Sequence, residues 1–191
     1  VRSHFKSLRM LHCFLESYVQ VLAPMKTVLP KTNAGITPQN TETLRYAVRS
    51  YGDYGFLFMI NFQDHLKPKP IHDISVKVSA RNEIISFPAE GAFHLPVGAS
   101  AILPFNLKLE KTNVKSATVQ PLTILNRSDA NYYVFSSIDG IEPEIVFAAE
   151  TKIAGLNNAT VTTVGILQKV SSQSAVPFSF DADGVHILVI S

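Results

Sequence analysis

The sequence predicts a mainly β fold: an antiparallel, sandwich-like β domain preceded by one amphipathic α-helix. Three observations predict it. From about residue 50 onward, turn formers (Gly, Pro, Asn, Asp) recur at short intervals, as in an all-β sandwich. Between those turns the residues alternate apolar and polar or run continuously apolar. Helical spacing of apolar residues is confined to the first twenty or so positions, as roughly one helix of moderate length requires.

The helix spans residues 3–23. Phe5, Leu8, Leu11, Leu15, Tyr18 or Val19, and Leu22 recur on one face. Ser3 is placed to cap its start and Pro24 to stop it. Such a stripe packs either on the strands downstream or on something outside them. The run PKTNAGITPQNTE (residues 30–42) is polar and broken by Pro30, Gly35 and Pro38, so a linker is expected over 32–42. The chain then divides into residues 1–31, the linker 32–42, and a β domain over 43–191.

That β domain opens with its most informative stretch, RSYGDYGFLFMINFQ (residues 49–63). Residues 44–49 alternate as a half-buried strand does, and turn at Gly52-Asp53 into Phe56-Leu57-Phe58-Met59-Ile60, apolar on both faces. We expect a hairpin whose second strand is buried on two sides, with Phe56, Phe58 and Ile60 on one face and Leu57 and Met59 on the other. Residues 74–79 and 83–87 form strands about the turn Arg81-Asn82. Phe93, Leu95 and Val97 give a short alternating piece, and residues 101–109 run apolar around Pro104, an edge or bulged strand. Residues 114–125 and 132–138 flank the loop Asn126–Asn131. Asp139-Gly140 makes a tight turn, Ile145-Val146-Phe147 begins a strand, and Asn157-Asn158 turns into residues 160–164. The last hairpin joins residues 178–181 to 185–190 through Asp183-Gly184.

Composition excludes some functions. Apolar residues make up 46% and charged residues 17%, so the chain can form a core and is not a disordered one. A net charge of +2 with no Lys/Arg cluster gives no electrostatic footprint for nucleic acid. No apolar run reaches the roughly 20 residues of a membrane span. With Cys13 alone there is no intrachain disulfide and no cysteine-based zinc site, and compartment stays open on this ground. Val1 stands where an initiator methionine is expected, so we expect a piece of a longer protein.

Candidate chemistry is thin. Glu142 and Glu144, close to Asp139, are spaced to share one face of a strand, and glycoside cleavage uses two carboxyls. A solvated turn entering a strand is the better reading, because no aromatic floor for a sugar lies nearby. Asp181-Ala182-Asp183-Gly184 starts like a calcium loop but lacks the later oxygen ligands, so it reads as a hairpin turn. The histidines, at 4, 12, 65, 72, 94 and 186, show no HExxH and no close spacing. Cys13 sits among apolar residues and is expected to be a small core residue. Trp is absent, and of the adjacent Tyr132 and Tyr133 only one can line a given sheet face. Asn126-Arg127-Ser128 and Asn158-Ala159-Thr160 are glycosylation sequons in expected loops. No residue is assigned a catalytic, cofactor-binding or metal-binding role.

Several runs together resemble glycoside hydrolase family 35 β-galactosidases. Residues 8–15 (LRMLHCFL) and 22–25 (LAPM) resemble the end of that family's (β/α)8 catalytic barrel. RSYG at 49–52 and GFLFMINFQ at 55–63 resemble the segment just past the barrel. PFNL at 104–107, ATVQPL at 117–122 and DGIEPE at 139–144 resemble the β region that follows. The chain departs from the family at Ile60, Asp64 and Leu103, where Asn, Arg and Trp are frequent. The resemblance implies that residues 1–31 are the last helix of an upstream catalytic barrel and that 43–191 are its β domain. It implies a secreted or periplasmic parent enzyme acting on terminal β-galactosides, with the substrate engaged only by the intact enzyme. The family's two catalytic glutamates lie on barrel strands upstream, so the chain is expected to be non-catalytic. The alternatives are a free-standing carbohydrate-binding β module and a structural β domain used for assembly.

Overall fold

The computed structural model describes residues 3–172 and 176–191, without the side chains of residues 3, 4, 6 and 7. The expected Ser3 cap and the His4 side chain therefore lie outside the described residues. Helix α1 (Ser3–Leu22) leads into β1 (Lys26–Val28) and a 3-10 turn over Lys31–Gly35. Then come β2 (Arg45–Tyr51), β3 (Tyr54–Ile60), β4 (Ile71–Ile74), β5 (Val76–Ala80), β6 (Glu83–Phe87) and β7 (Phe93–Leu95). β8 (Ser100–Leu109), β9 (Thr112–Ala117), β10 (Gln120–Asn126), β11 (Asn131–Ser136) and β12 (Glu144–Ala148) follow. The chain ends with β13 (Ile153–Asn157), β14 (Thr160–Val164), β15 (Leu167–Ser171), β16 (Phe178–Ala182) and β17 (Val185–Ile190).

The strands are mainly antiparallel and sandwich-like, as expected, and two small ribbons add a third layer to the two large sheets. An eight-stranded sheet runs β1-β2-β3-β8-β9-β12-β15-β14, and a five-stranded sheet runs β10-β11-β17-β16-β13. The pair β11–β17 is parallel, with Tyr132 opposite His186, and every other described pair is antiparallel. One core lies between the two large sheets, where Phe56, Leu107, Phe135, Phe147, Phe180 and Ile187 meet. A second core lies on the other face of the eight-stranded sheet. There Leu57, Met59, Leu103 and Phe105 are covered by the ribbons β4–β7 and β5–β6 through Val76, Phe87 and Leu95.

β3 sits between β2 and β8, so its period-2 alternation feeds both cores. Phe56 enters the first and Leu57 and Met59 enter the second. Two expectations need correction: Phe58 is only partly buried, and Ile60 is 42% exposed. The strand ends at Ile60, where the side chain has passed beyond the edge of the core. The next residue, Asn61, is buried and its Nδ2 donates to the carbonyls of Lys69 and Leu95 at 2.9 and 3.0 Å. That amide fixes the strand's exit against the covering ribbon.

β8 is an interior strand rather than an edge, with β3 on one side and β9 on the other. Pro104 is tolerated because pairing with β9 begins only at Phe105. The irregularity falls at Asn106, whose φ of +47° is one that asparagine adopts more readily than most residues. Odd residues through Phe105 face the second core, whereas Leu107 and Leu109 face the first. The predicted strand over 114–125 is two strands: the chain leaves the eight-stranded sheet after Ala117 and joins the five-stranded one at Gln120. Likewise Ile74 ends β4, and β5 begins a separate ribbon at Val76.

Helix α1 is built into the first core. Phe14, Tyr18 and Leu22 are buried there with Met25, at the four-residue spacing of one helix face. Ser17 Oγ accepts the Ile124 N–H at 3.2 Å, which ties the helix to β10. The last turn of α1 has no basic residue of its own. Arg49 on β2 supplies one, its guanidinium donating to the carbonyls of Leu22 and Met25 at 3.3 and 3.1 Å. A cation at a helix C-terminus satisfies orphan carbonyls and opposes the helix dipole.

Candidate functional site

The carboxylates near residue 140 do not form an open acid pair. Ile138 bridges Ile141 about the turn, with Gly140 at φ +79°. Glu142 is exposed, whereas Glu144 opens β12 and is only 7% exposed. The reading of both as solvated turn residues is thus corrected for Glu144. Two-residue spacing places side chains on one face only within a strand, and Glu142 precedes the strand. Thr118 holds this corner: its hydroxyl donates to the Glu142 carbonyl at 2.6 Å and accepts the Glu144 N–H at 3.0 Å. Glu144 Oε1 accepts the Ala89 N–H at 2.7 Å, and Lys169 Nζ lies 3.9 Å from Oε2. The carboxylate therefore pins the loop after β6 to the eight-stranded sheet.

Burial pushes the Glu144 carboxyl above its usual range. The Ala89 N–H and Lys169 oppose this only in part, and Glu142 and Glu90 add to it. A carboxyl raised on folding stabilises the fold in its protonated form. That contribution is complete below the unfolded value of about 4.3 and is lost as pH rises through the folded value. Measured against Glu144→Gln, the wild type should gain melting temperature on acidification from neutral pH to about pH 4. A relative loss over that window would mean that Lys169 and Ala89 hold the anion more strongly than burial opposes it.

The Asp181-Ala182-Asp183-Gly184 segment is the hairpin turn expected. Ala182 pairs with Val185, and Asp183 and Gly184 both take positive φ, as a two-residue turn of this hand requires. Asp181 instead faces a histidine, with His186 Nδ1 at 2.5 Å from its Oδ1. On the other side Tyr132 stacks on the His186 ring at 4.8 Å and 17°. The Tyr132 hydroxyl donates to Asp129 at 3.1 Å, a bond that pushes its phenol up. Tyr133 points the other way into the first core, so the two tyrosines divide between faces as expected. His72 and His94, far apart in sequence, are brought to 5.7 Å and 22° on the β4–β7 ribbon. Sequence spacing could not find that pair, because it exists only through strand pairing. Among the described residues no three His, Cys, Asp or Glu side chains are placed to hold a metal ion. Cys13 is a free thiol, partly buried rather than in the core.

A cleft of about 240 Å³ opens beside β2, lined by Val28, Leu29, Val48, Val78 and Phe105 with Lys77 as its one charged group. Its lining holds no carboxylate, and so neither of the two carboxyls that glycoside cleavage uses.

The surface that stands out is on α1. Phe5, Leu8, Met10, Leu11, Leu15 and Val19 are between 37% and 56% exposed. The stripe that sequence periodicity picked out is split: Tyr18 and Leu22 are buried against the β domain beside Phe14, whereas Phe5, Leu8, Leu11, Leu15 and Val19 stay exposed. The helix thus carries two apolar faces, one buried and one bare. A contiguous bare apolar patch of this kind on a monomer is often functional. Among the described residues no helix is long and apolar enough to cross a membrane.

No family model and no curated protein matches the chain.

Proposed function

We propose that this chain is the non-catalytic β region of a β-galactosidase-like glycoside hydrolase, with residues 1–31 as the last helix of an upstream catalytic barrel. The polar segment 32–42 connects that part to the β domain over 43–191, whose eight-stranded sheet also takes in β1 (Lys26–Val28). One observation carries the reading: α1 buries Phe14 and Tyr18 in the β domain while leaving Phe5, Leu8, Leu15 and Val19 bare. A helix on the outer ring of a barrel needs an apolar face for the barrel, and one that also meets a following domain needs a second. A self-sufficient module has no use for that second face. The parent enzyme would act on terminal β-galactosides outside the cytoplasm, and its catalytic glutamates would stand on the barrel.

The test is turnover. Purified, the chain should hydrolyse no activated aryl β-galactoside above the buffer blank. Turnover that Glu142→Gln or Glu144→Gln abolishes would make those carboxylates an active site and end the proposal. The bare stripe supplies a second arm. Leu15→Glu with Val19→Glu should leave the isolated chain's stability within about 0.5 kcal/mol, as exposed sites do. A larger loss would mean that the β domain itself covers the stripe.

A second reading, a free-standing carbohydrate-binding module, draws on the Tyr132–His186 stack with Asp129 and Asp181 around it. Aromatic faces with polar neighbours suit sugars. Here, however, each ring covers a face of the other, which leaves less aromatic surface for a ligand.

A further inference from the structure

We infer that Asn126 and Asn158 are acceptor sites for N-linked glycans wherever the chain meets the transferase. Each begins an Asn-X-Ser/Thr triplet with no proline at the middle position, Arg127 or Ala159. Both asparagines are exposed. Asn126 is the last residue of β10 and pairs with Asn131 across the exposed loop Arg127–Ala130. Asn158 follows β13 on the crossover to β14, at φ +54°. Its amide donates one hydrogen bond, to the Pro177 carbonyl at 3.2 Å, and an amide has a second N–H to give.

The fold sorts the asparagines in a way the sequence alone does not. Asn61 and Asn106 are buried, and both are followed two residues on by Gln63 and Lys108, not by a hydroxyl. The acceptor signal thus falls on exposed positions. β10 and β13 are the two outermost strands of the five-stranded sheet. Glycans at their ends stand at the sheet's edges and over neither core. The chemistry needs a lipid-linked oligosaccharide diphosphate as donor. The asparagine amide nitrogen bonds to the sugar's anomeric carbon, the bond from that carbon to the diphosphate oxygen breaks, the amide loses a proton, and the lipid diphosphate leaves.

The test is the intact mass of the full chain, secreted from a eukaryotic cell behind a cleavable signal, before and after peptide N-glycosidase treatment. Two glycans are expected. Ser128→Ala should remove one and Thr160→Ala the other, both at exposed positions and both leaving the asparagine in place. The glycosylated chain should melt within a few degrees of the deglycosylated one. A secreted, folded chain whose mass does not change on treatment overturns the inference. A chain with one glycan overturns it for the empty site, and a glycosylated chain that fails to fold overturns the placement of the asparagines outside the cores.

Discussion

Replacing Phe56 by alanine is expected to cost about 3–5 kcal/mol in denaturant melts, the range for deleting a buried phenyl ring. Phe56 is fully buried where β3 meets the helix. Its ring makes edge contacts with Phe14 at 5.4 Å and 87°, with Tyr18 at 6.2 Å and 76°, and with Phe58 at 6.4 Å and 65°. Such aromatic pairs add about 0.5–1.5 kcal/mol each beyond area burial. The space left behind cannot close easily, because a paired strand bounds it on one side and α1 on the other. Phe58→Ala should cost clearly less, since that ring is only partly buried. A loss below about 1 kcal/mol for Phe56→Ala would mean that helix and sheet do not share a core.

Gly55→Ala should cost about 3 kcal/mol or more, although it adds a single methyl. A Cβ at Gly55 would lie 2.2 Å from the Arg49 carbonyl, 2.8 Å from Phe105 Cζ and 2.9 Å from Ser50 Cα. Two of these three are backbone atoms of β2, so relief requires β2 and β3 to separate. That separation would also disturb Arg49, which holds the helix C-terminus. Gly52 makes the comparison. It takes φ +66° in the same hairpin, yet a Cβ there meets nothing within 4 Å. Gly52→Ala should therefore cost only the left-handed backbone penalty of about 1–2 kcal/mol. If the two variants melted alike, strain in φ rather than lack of space would govern this hairpin.

Local pattern carried most of the fold. Period-2 alternation at Val76 and Val78 and the two-sided run at Leu57 to Met59 mark their strands because each needs only neighbouring residues. Asp183-Gly184 marked its turn for the same reason. What was not legible depends on partners distant in the chain. Pro104 looked like an edge residue because nothing local reveals that β9 pairs only from Phe105 onward. The switch between sheets after Ala117 leaves no mark in an apolar run that stays apolar. The burial of Glu144 is not legible locally because its partners, Ala89 and Lys169, lie 55 residues away at the first and on another strand at the second. The helix is the instructive case. Periodicity found a real apolar stripe, but only its Tyr18 and Leu22 enter the core, beside Phe14, which the stripe did not include. A helix apolar around most of its circumference has two claims on it, and spacing alone does not say which surface each face serves.

On the proposed function, the second face of α1 belongs against another domain of a longer protein. Thiol labelling tests it most directly. In a Cys13→Ser background, Leu15→Cys and Val19→Cys should react rapidly with a maleimide in the isolated chain, since both positions are about half exposed. In the protein made from the longest reading frame that contains this chain, both should be protected until denaturant is added. Equal and rapid labelling in the two proteins would contradict the claim.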